Sequence, residues 1–473
     1  MTKPIQFESL GLSFPHKTCF SDVSGQIFAG SRVAIIGRNG SGKTSLLKIL
    51  AGVVEPSEGV VNIPKQLVIG YVPQVIEAFD DYSGGQRFNQ SLTKALAQDP
   101  DVLMLDEPTN HLDSKNRRAL IHLLQHFTGS VVMVTHDVEA LRSLQPIIWH
   151  MNDTSMHIFS GQYDDYLREM QVRRSNIEAE LAGLSRQKKD AHRSLMKEQQ
   201  RAKQSRKQGE KNIKQRKWPT VVSESKARNA QETSGRKQKA IHQHKQRMIE
   251  QLAEHRLPEV IMPTFNIEGV PSNQVVLRIK DGQANYSNDG FKIEGIDFYM
   301  SGLDKVAIVG NNGSGKSTLI KATLQDKALE RQGEWVVPNL DAIGYLDQHY
   351  QNLKQDLTVL DIVSQAAPSM PHQDVRNHLN DFLFRKNEEV HARVSTLSGG
   401  EKARLSLAQI AVNPPKLLIL DEMTNNLDLE TRAHVIQVLS RFPGAVLVIS
   451  HDVDFLQAIG VTESIELVEG VMQ

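Results

Sequence analysis

The chain has one cysteine, Cys19, in 473 residues. An intrachain disulfide is therefore excluded, and a reducing, cytoplasmic location is the expectation. No apolar run approaches the ~18 residues that span a bilayer as a helix, so a membrane-inserted helical protein is excluded. Met1 to Leu10 is mixed and polar and lacks the charged-then-apolar pattern of a secretory leader. Net charge is missing too, since 55 Lys and Arg balance 55 Asp and Glu. That balance hides a division. Between Gln171 and Glu250, 22 basic residues stand against 8 acidic ones, and the remainder carries the opposite excess. A one-signed, clustered excess points to a polyphosphate backbone as partner.

What is present begins with a repeated loop. Gly37-Arg-Asn-Gly-Ser-Gly-Lys-Thr44 follows the apolar run Val33 to Ile36 and precedes the helical run Ser45 to Ala51. Gly310-Asn-Asn-Gly-Ser-Gly-Lys-Ser317 follows Val306 to Val309 in the same way. Strand, glycine-rich loop and helix make a phosphate cradle. Backbone N–H groups of Gly37, Asn39, Gly40, Ser41 and Gly42 can meet phosphate oxygens, as can those of Gly310, Asn312, Gly313, Ser314, Gly315 and Thr318. The helix N-terminus adds partial positive charge. Lys43 and Lys316 can reach the β- and γ-phosphates, and the Thr44 and Ser317 hydroxyls can ligate Mg²⁺.

Further motifs recur in the same order in both copies. Gln74 and Gln348 each follow a strand and can complete the Mg²⁺ shell. Tyr82-Ser-Gly-Gly-Gln86 and Leu397-Ser-Gly-Gly-Glu401 place Ser83, Gly85, Ser398 and Gly400 before helical runs. Val102-Leu-Met-Leu-Asp106-Glu107 and Leu417-Leu-Ile-Leu-Asp421-Glu422 are apolar strands ending in two carboxylates. Asp106 and Asp421 can hold Mg²⁺, while Glu107 and Glu422 can polarise an attacking water. His136 and His451 follow a further strand directly, where an imidazole could bond a γ-phosphate. Phe14 and Tyr286 could stack on an adenine or serve as strand core. The alternation of strands and helices predicts α/β cores with mainly parallel sheets.

This order of motifs resembles the ATP-binding cassette ATPases, and Ser-Gly-Gly is the most specific mark. Asp106-Glu-Pro-Thr-Asn-His-Leu-Asp113 resembles the ABC-F branch in particular. The resemblance implies an ATP- and Mg²⁺-dependent ATPase, monomeric, with its two cassettes in a head-to-tail sandwich. Each ATP would lie between one P-loop and the opposite signature. It also implies a ribosome-associated translation factor, with antibiotic protection of ribosomes as a specific form. The alternative from another class is an energising subunit of a membrane transporter.

The domain expectation is a first cassette over 1–166, a basic helical linker over 167–272 and a second cassette over 273–473. Leu167, Met170, Ile177, Leu181, Leu184, Ala191 and Leu195 form a helical stripe. Two antiparallel helices of about 40 residues are expected, with a basic tip at Lys211, Lys214, Arg216 and Lys217 beside Trp218. In ABC-F proteins the corresponding hairpin reaches toward P-site tRNA and ribosomal RNA. The offset between copies is 274 at the glutamines but 315 at the signatures, acidic strands and histidines. The second copy therefore holds a helical subdomain between His349 and Thr396 that the first copy lacks. The helical arm usual in the first ABC-F cassette is absent with it.

Overall fold

The computed structural model describes residues 3–14, 17–74, 84–110, 112–152, 155–214, 274–286, 292–347, 350–424 and 427–472. By internal contacts the chain divides into one unit, Met1–Tyr163 with Val260–Gln473, and a second, Asp164–Glu259. No helix among the described residues is long and apolar enough to cross a membrane.

The first copy runs β1 (Ile5–Phe14), β2 (Lys17–Ile27), β3 (Arg32–Gly37), α1 (Lys43–Leu50), β4 (Glu58–Asn62), β5 (Ile69–Val72), α2 (Gly84–Leu96), β6 (Val102–Asp106), α3 (Ser114–His126), β7 (Ser130–Val134), α4 (Val138–Leu144), β8 (Ile147–Met151) and β9 (Met156–Phe159). Its six-stranded sheet has the order β5-β6-β7-β3-β8-β9, parallel except for β9, and β2-β1-β4 form a separate antiparallel sheet. β6 and β7 are buried at every position. A strand in the middle of a parallel sheet is covered on both faces, which is why these segments read as unbroken apolar runs.

The helix α5 (Tyr163–Lys214) opens the linker and has 52 residues, about 78 Å of continuous helix. It is longer than the spacing predicts. Its Leu167, assigned to the apolar stripe, is exposed. Arg216, Lys217, Trp218 and the expected second helix lie outside the described residues.

The second copy runs β10 (Val275–Tyr286), β11 (Lys292–Ser301), β12 (Lys305–Val309), α6 (Lys316–Thr323), β13 (Leu329–Val336), β14 (Ile343–Asp347), α7 (Val359–Ala366), α8 (His372–Asp381), α9 (Asn387–Val390), α10 (Gly399–Val412), β15 (Leu417–Asp421), α11 (Leu429–Ser440), β16 (Ala445–Ile449), α12 (Val453–Ile459), β17 (Glu463–Val468) and β18 (Val471–Met472). They form one nine-stranded sheet of order β13-β10-β11-β18-β17-β12-β16-β15-β14. The expected extra subdomain is present as α7, α8 and α9. Thr358 and Asp361 start it with a reciprocal capping box, and Val359, Val363, Leu379 and Phe382 are fully buried in its core.

A cation stands at the base of each strand that leads to a glycine loop. Lys305 opens β12 and donates to the carbonyls of Leu439 (2.8 Å), Ser440 (3.2 Å) and Ile459 (2.9 Å), which end α11 and α12. Arg32 opens β3 and donates to the carbonyls of Phe127 and Gly129, just past α3. Carbonyls at helix C-termini have no intrahelical partner, and a cation satisfies them.

Candidate functional site: two nucleotide loops facing opposite cassettes

β3 ends at Gly37, whose φ is 145°, and a Cβ there would lie 2.3 Å from the Met151 carbonyl oxygen. Gly310 repeats this with φ 150° and the Leu467 carbonyl at 2.3 Å. Only glycine fits against the next strand at that point. Gly42 and Gly315 cap α1 and α6 in the left-handed region, turning the chain so that the helix N-terminus faces the loop. Lys43 donates to the carbonyls of Gly37 (2.8 Å) and Arg38 (2.9 Å), and Lys316 to those of Gly310 and Asn311, both at 2.8 Å. Both ammonium groups are buried. Burial lowers their pKa, and Glu107, Asp428 and Asp106 at Lys43, or Glu422, Asp421 and Asp113 at Lys316, oppose it.

The acidic strands end beside these loops. Thr44 Oγ1 donates to Asp106 Oδ1 at 3.1 Å, while burial raises the Asp106 pKa. In the second copy it is Tyr345 that donates to Asp421, at 3.2 Å. The matching Tyr71 hydroxyl is buried without a hydrogen-bond partner among the described residues. Glu107 and Glu422 both hold left-handed backbone, φ 47° and 48°. Such strain in a non-glycine residue persists only where the surroundings impose it, and both copies share it. Burial raises the Glu107 carboxyl pKa and lowers that of the neighbouring His136 imidazole. His136 Nε2 lies 3.3 Å from Glu107 Oε1, and His451 Nε2 lies 4.0 Å from Glu422 Oε1. Arg117 and Arg432 fix the turns that carry these histidines by pairing with Asp137 (2.5 Å) and Asp452 (2.8 Å).

The remaining expected residues divide. Gln74 is exposed at the end of β5, and its backbone amide bonds Asp106. Gly85 is the second residue of α2. Ser398 caps α10 in a box with Glu401, and Gly400 is buried against Thr431. Tyr286 ends β10, half-buried against the second core, with the Lys321 ammonium 5.9 Å from its ring. Ser83, Gln348 and the side chain of Phe14 lie outside the described residues.

A set of contacts between the copies completes the site. Asp428 Oδ2 accepts from the Asn39 backbone N–H at 2.8 Å, while its Oδ1 caps α11 through Thr431 N–H at 2.8 Å. Arg38 pairs with Glu430, and Arg142 with Asp454 at 2.6 Å. Reciprocally, Asp113 caps α3 and its charge acts on Lys316 and His451, and Ser114 Oγ lies 3.0 Å from His451 Nδ1. Sequence reasoning did not single out Asp428, Glu430 and Ser114. The available signal was the turn after each acidic strand, which ends in Asp113 and in Asp428 at the same 315-residue offset.

The donor set fits Mg²⁺-ATP. Among the described residues, the buried atoms Ser41 Oγ, Ser314 Oγ, Asp106 Oδ2, His136 Nε2 and His451 Nε2 have no hydrogen-bond partner. Unpaired buried hydroxyls and imidazoles at a helix N-terminus suit an anion, and an unpaired carboxylate oxygen beside them suits a cation.

A family model described as ABC transporter matches residues 20–70 and 293–425. The ribosome protection protein VmlR of Bacillus subtilis is 27% identical over 97% of this chain and 85% of its own length. ATP-binding cassette sub-family F member 3 of Mus musculus is 28% identical over 83% of this chain and 51% of its own. A crystal structure of archaeal ribosome recycling factor aABCE1 in complex with ribosomal stalk protein aP1 superimposes with a TM-score of 0.61 at 17% identity, covering 97% of this chain and 87% of that one. The chain thus carries the ABC transporter match in each copy, and its solved neighbours are tandem cassette proteins. Its homologues are of the ABC-F type, the branch that its acidic motifs resemble.

Proposed function

We propose that this chain is a ribosome-associated ATPase whose two cassettes, 1–166 and 273–473, joined by a basic linker, 167–272, close on each other over ATP. Lys43 and Lys316 hold the phosphates; Thr44, Asp106 and Gln74, with Ser317, Asp421 and Gln348, hold Mg²⁺. Glu107 and Glu422 orient the attacking water, and a carboxyl pKa raised by burial, as at Glu107, makes a better base near neutral pH. His136 and His451 bond the γ-phosphate. The signatures at Ser83 and Ser398 approach from the opposite cassette, in line with the reach of Asp428 to Asn39. Loss of the γ-phosphate removes the group that both cassettes share, so hydrolysis releases the closed state.

The observation that carries the ribosomal reading is α5, a 52-residue helix in the stretch of one-signed charge, in a chain matched almost end to end by a ribosome protection protein. The same relative supports antibiotic protection of the ribosome as the specific task. The test is co-sedimentation of the Glu107→Gln/Glu422→Gln protein with ribosomes in ATP across a salt series. Changing Lys211, Lys214, Arg216 and Lys217 to Gln should weaken binding and flatten its salt dependence, because each phosphate contact releases counterions. Affinity and slope equal to those of the unaltered tip would overturn the linker's role.

A further inference from the structure

We propose that Ser114 is a positioning residue that acts across the cassette boundary on His451 and so makes the second site depend on the first cassette. Ser114 is the first residue of α3, directly after the cap Asp113, and its Oγ lies 3.0 Å from His451 Nδ1. The other ring nitrogen, Nε2, is buried without a hydrogen-bond partner among the described residues and lies 4.0 Å from Glu422 Oε1. In a neutral imidazole one nitrogen carries the proton and the other accepts. A serine hydroxyl that donates to Nδ1 leaves the proton on Nε2, on the side of the carboxylate and the glycine loop. Only an N–H there can donate to an anionic oxygen. With Ser114 as the donor, His451 holds the tautomer it needs, and the hydroxyl comes from the opposite cassette.

The arrangement is one-sided. The residue that matches Ser114 at the 315-residue offset is Leu429, whose side chain has no polar atom to offer. Correspondingly, among the described residues neither ring nitrogen of His136 has a hydrogen-bond partner, and its Nε2 lies 3.3 Å from Glu107 Oε1. The first site's histidine meets the opposite cassette through the charge of Asp428, whereas the second site's receives a hydroxyl from the partner cassette. Parting of the cassettes withdraws that hydroxyl, so turnover at the second site is tied to closure through a side chain.

The inference rests on the assignment of His451 to the second site, and the experiment separates the two. In a Glu107→Gln background only the second site turns over, and its kcat and ATP KM are measured. Ser114→Ala should lower kcat about three- to tenfold with KM unchanged, the effect of losing one hydrogen bond. Ser114→Thr keeps the hydroxyl and should restore kcat to within about twofold. Asp113 still caps α3 in both variants, so an unchanged melting temperature accompanies the expected result. If His451→Ala leaves kcat unchanged, the site assignment itself fails and the inference with it. If His451→Ala lowers kcat and Ser114→Ala does not, the site stands and the inference is overturned. A loss in Ser114→Ala that Ser114→Thr does not restore is a packing effect and also overturns it.

Discussion

Asp428→Asn should open the cassette pair while leaving the second cassette folded. Burial pushes the Asp428 pKa up, but the amides of Thr431 and Asn39 outweigh it and hold the carboxyl below its ordinary value, so it is an anion. It is 4% exposed, which removes solvent screening as a discount. One oxygen caps α11 and the other holds Asn39 N–H, each at 2.8 Å. Whichever way an amide is turned in its place, an NH₂ faces one of those N–H groups. The cap sits within one cassette and wins the carbonyl, so the Asn39 contact is lost. A hydrogen bond to a charged group contributes about 1.5–3 kcal/mol. Closure should therefore weaken by about 10- to 150-fold in its equilibrium constant. Glu430→Gln supplies the internal control. The Arg38–Glu430 pair also crosses the boundary, but its side chains are 44% and 31% exposed. Exposed pairs contribute about 0–1 kcal/mol, so that change should cost about fivefold at most. Donor and acceptor dyes on the two cassettes, titrated with ATP in the Glu107→Gln/Glu422→Gln protein, report closure directly. Equal shifts for Asp428→Asn and Glu430→Gln, or no shift for either, would refute the reasoning.

Three further outcomes follow from the same structure. The Glu107→Gln/Glu422→Gln protein should bind ATP with its P-loops intact yet show no turnover, and normal phosphate release would remove both glutamates from the reaction. Glu107→Gln alone should reduce steady-state turnover more than Glu422→Gln, because the second site takes its signature from the cassette without the helical subdomain, and ~1 Å of misplacement can cost ~100-fold; equal losses or the reverse order would contradict this. His378 is buried, sits 2.8 Å from the Ala408 carbonyl and has its pKa lowered by desolvation. The unfolded imidazole takes up its proton first as pH falls below about 6.5, so stability should drop from there until the folded pKa is passed. A urea series should show that acid loss shrinking in His378→Gln, and an unchanged pH profile would exclude His378 as its source.

Much of the cassette core was legible because its signals are local. Val102–Asp106 and Leu417–Asp421 announce covered parallel strands by their unbroken apolar runs, and each glycine loop lies between a strand and a helix. The extra subdomain was readable as a length difference between copies, and α7 to α9 fill it. The contacts between cassettes were not readable. Asn39 and Asp428 are 389 positions apart, and Ser114 and His451 are 337 apart. Such pairs leave no periodicity, because what sets them is how two finished cassettes meet. The tyrosine at Asp421 was missed for another reason: Tyr345 and Tyr71 occupy matching strand positions, but only Tyr345 hydrogen-bonds the carboxylate. Strand alternation places both side chains and cannot say which one finds a partner.

The cations Lys305 and Arg32 give the twelve-residue α11 and the thirteen-residue α3 the character of connecting rods. One end of α11 is Asp428, fastened to the glycine loop of the first copy; the other end is clasped by Lys305 at the foot of the strand that carries the glycine loop of the second. α3 runs the mirror course, from Asp113 and Ser114 beside Lys316 and His451 to the carbonyls held by Arg32. A hydrogen-bonded helix of about 18 Å does not shorten. Movement of either loop along its rod must then appear at the foot of the other strand, and the two nucleotide chambers share one linkage in the way that two pistons share a crank.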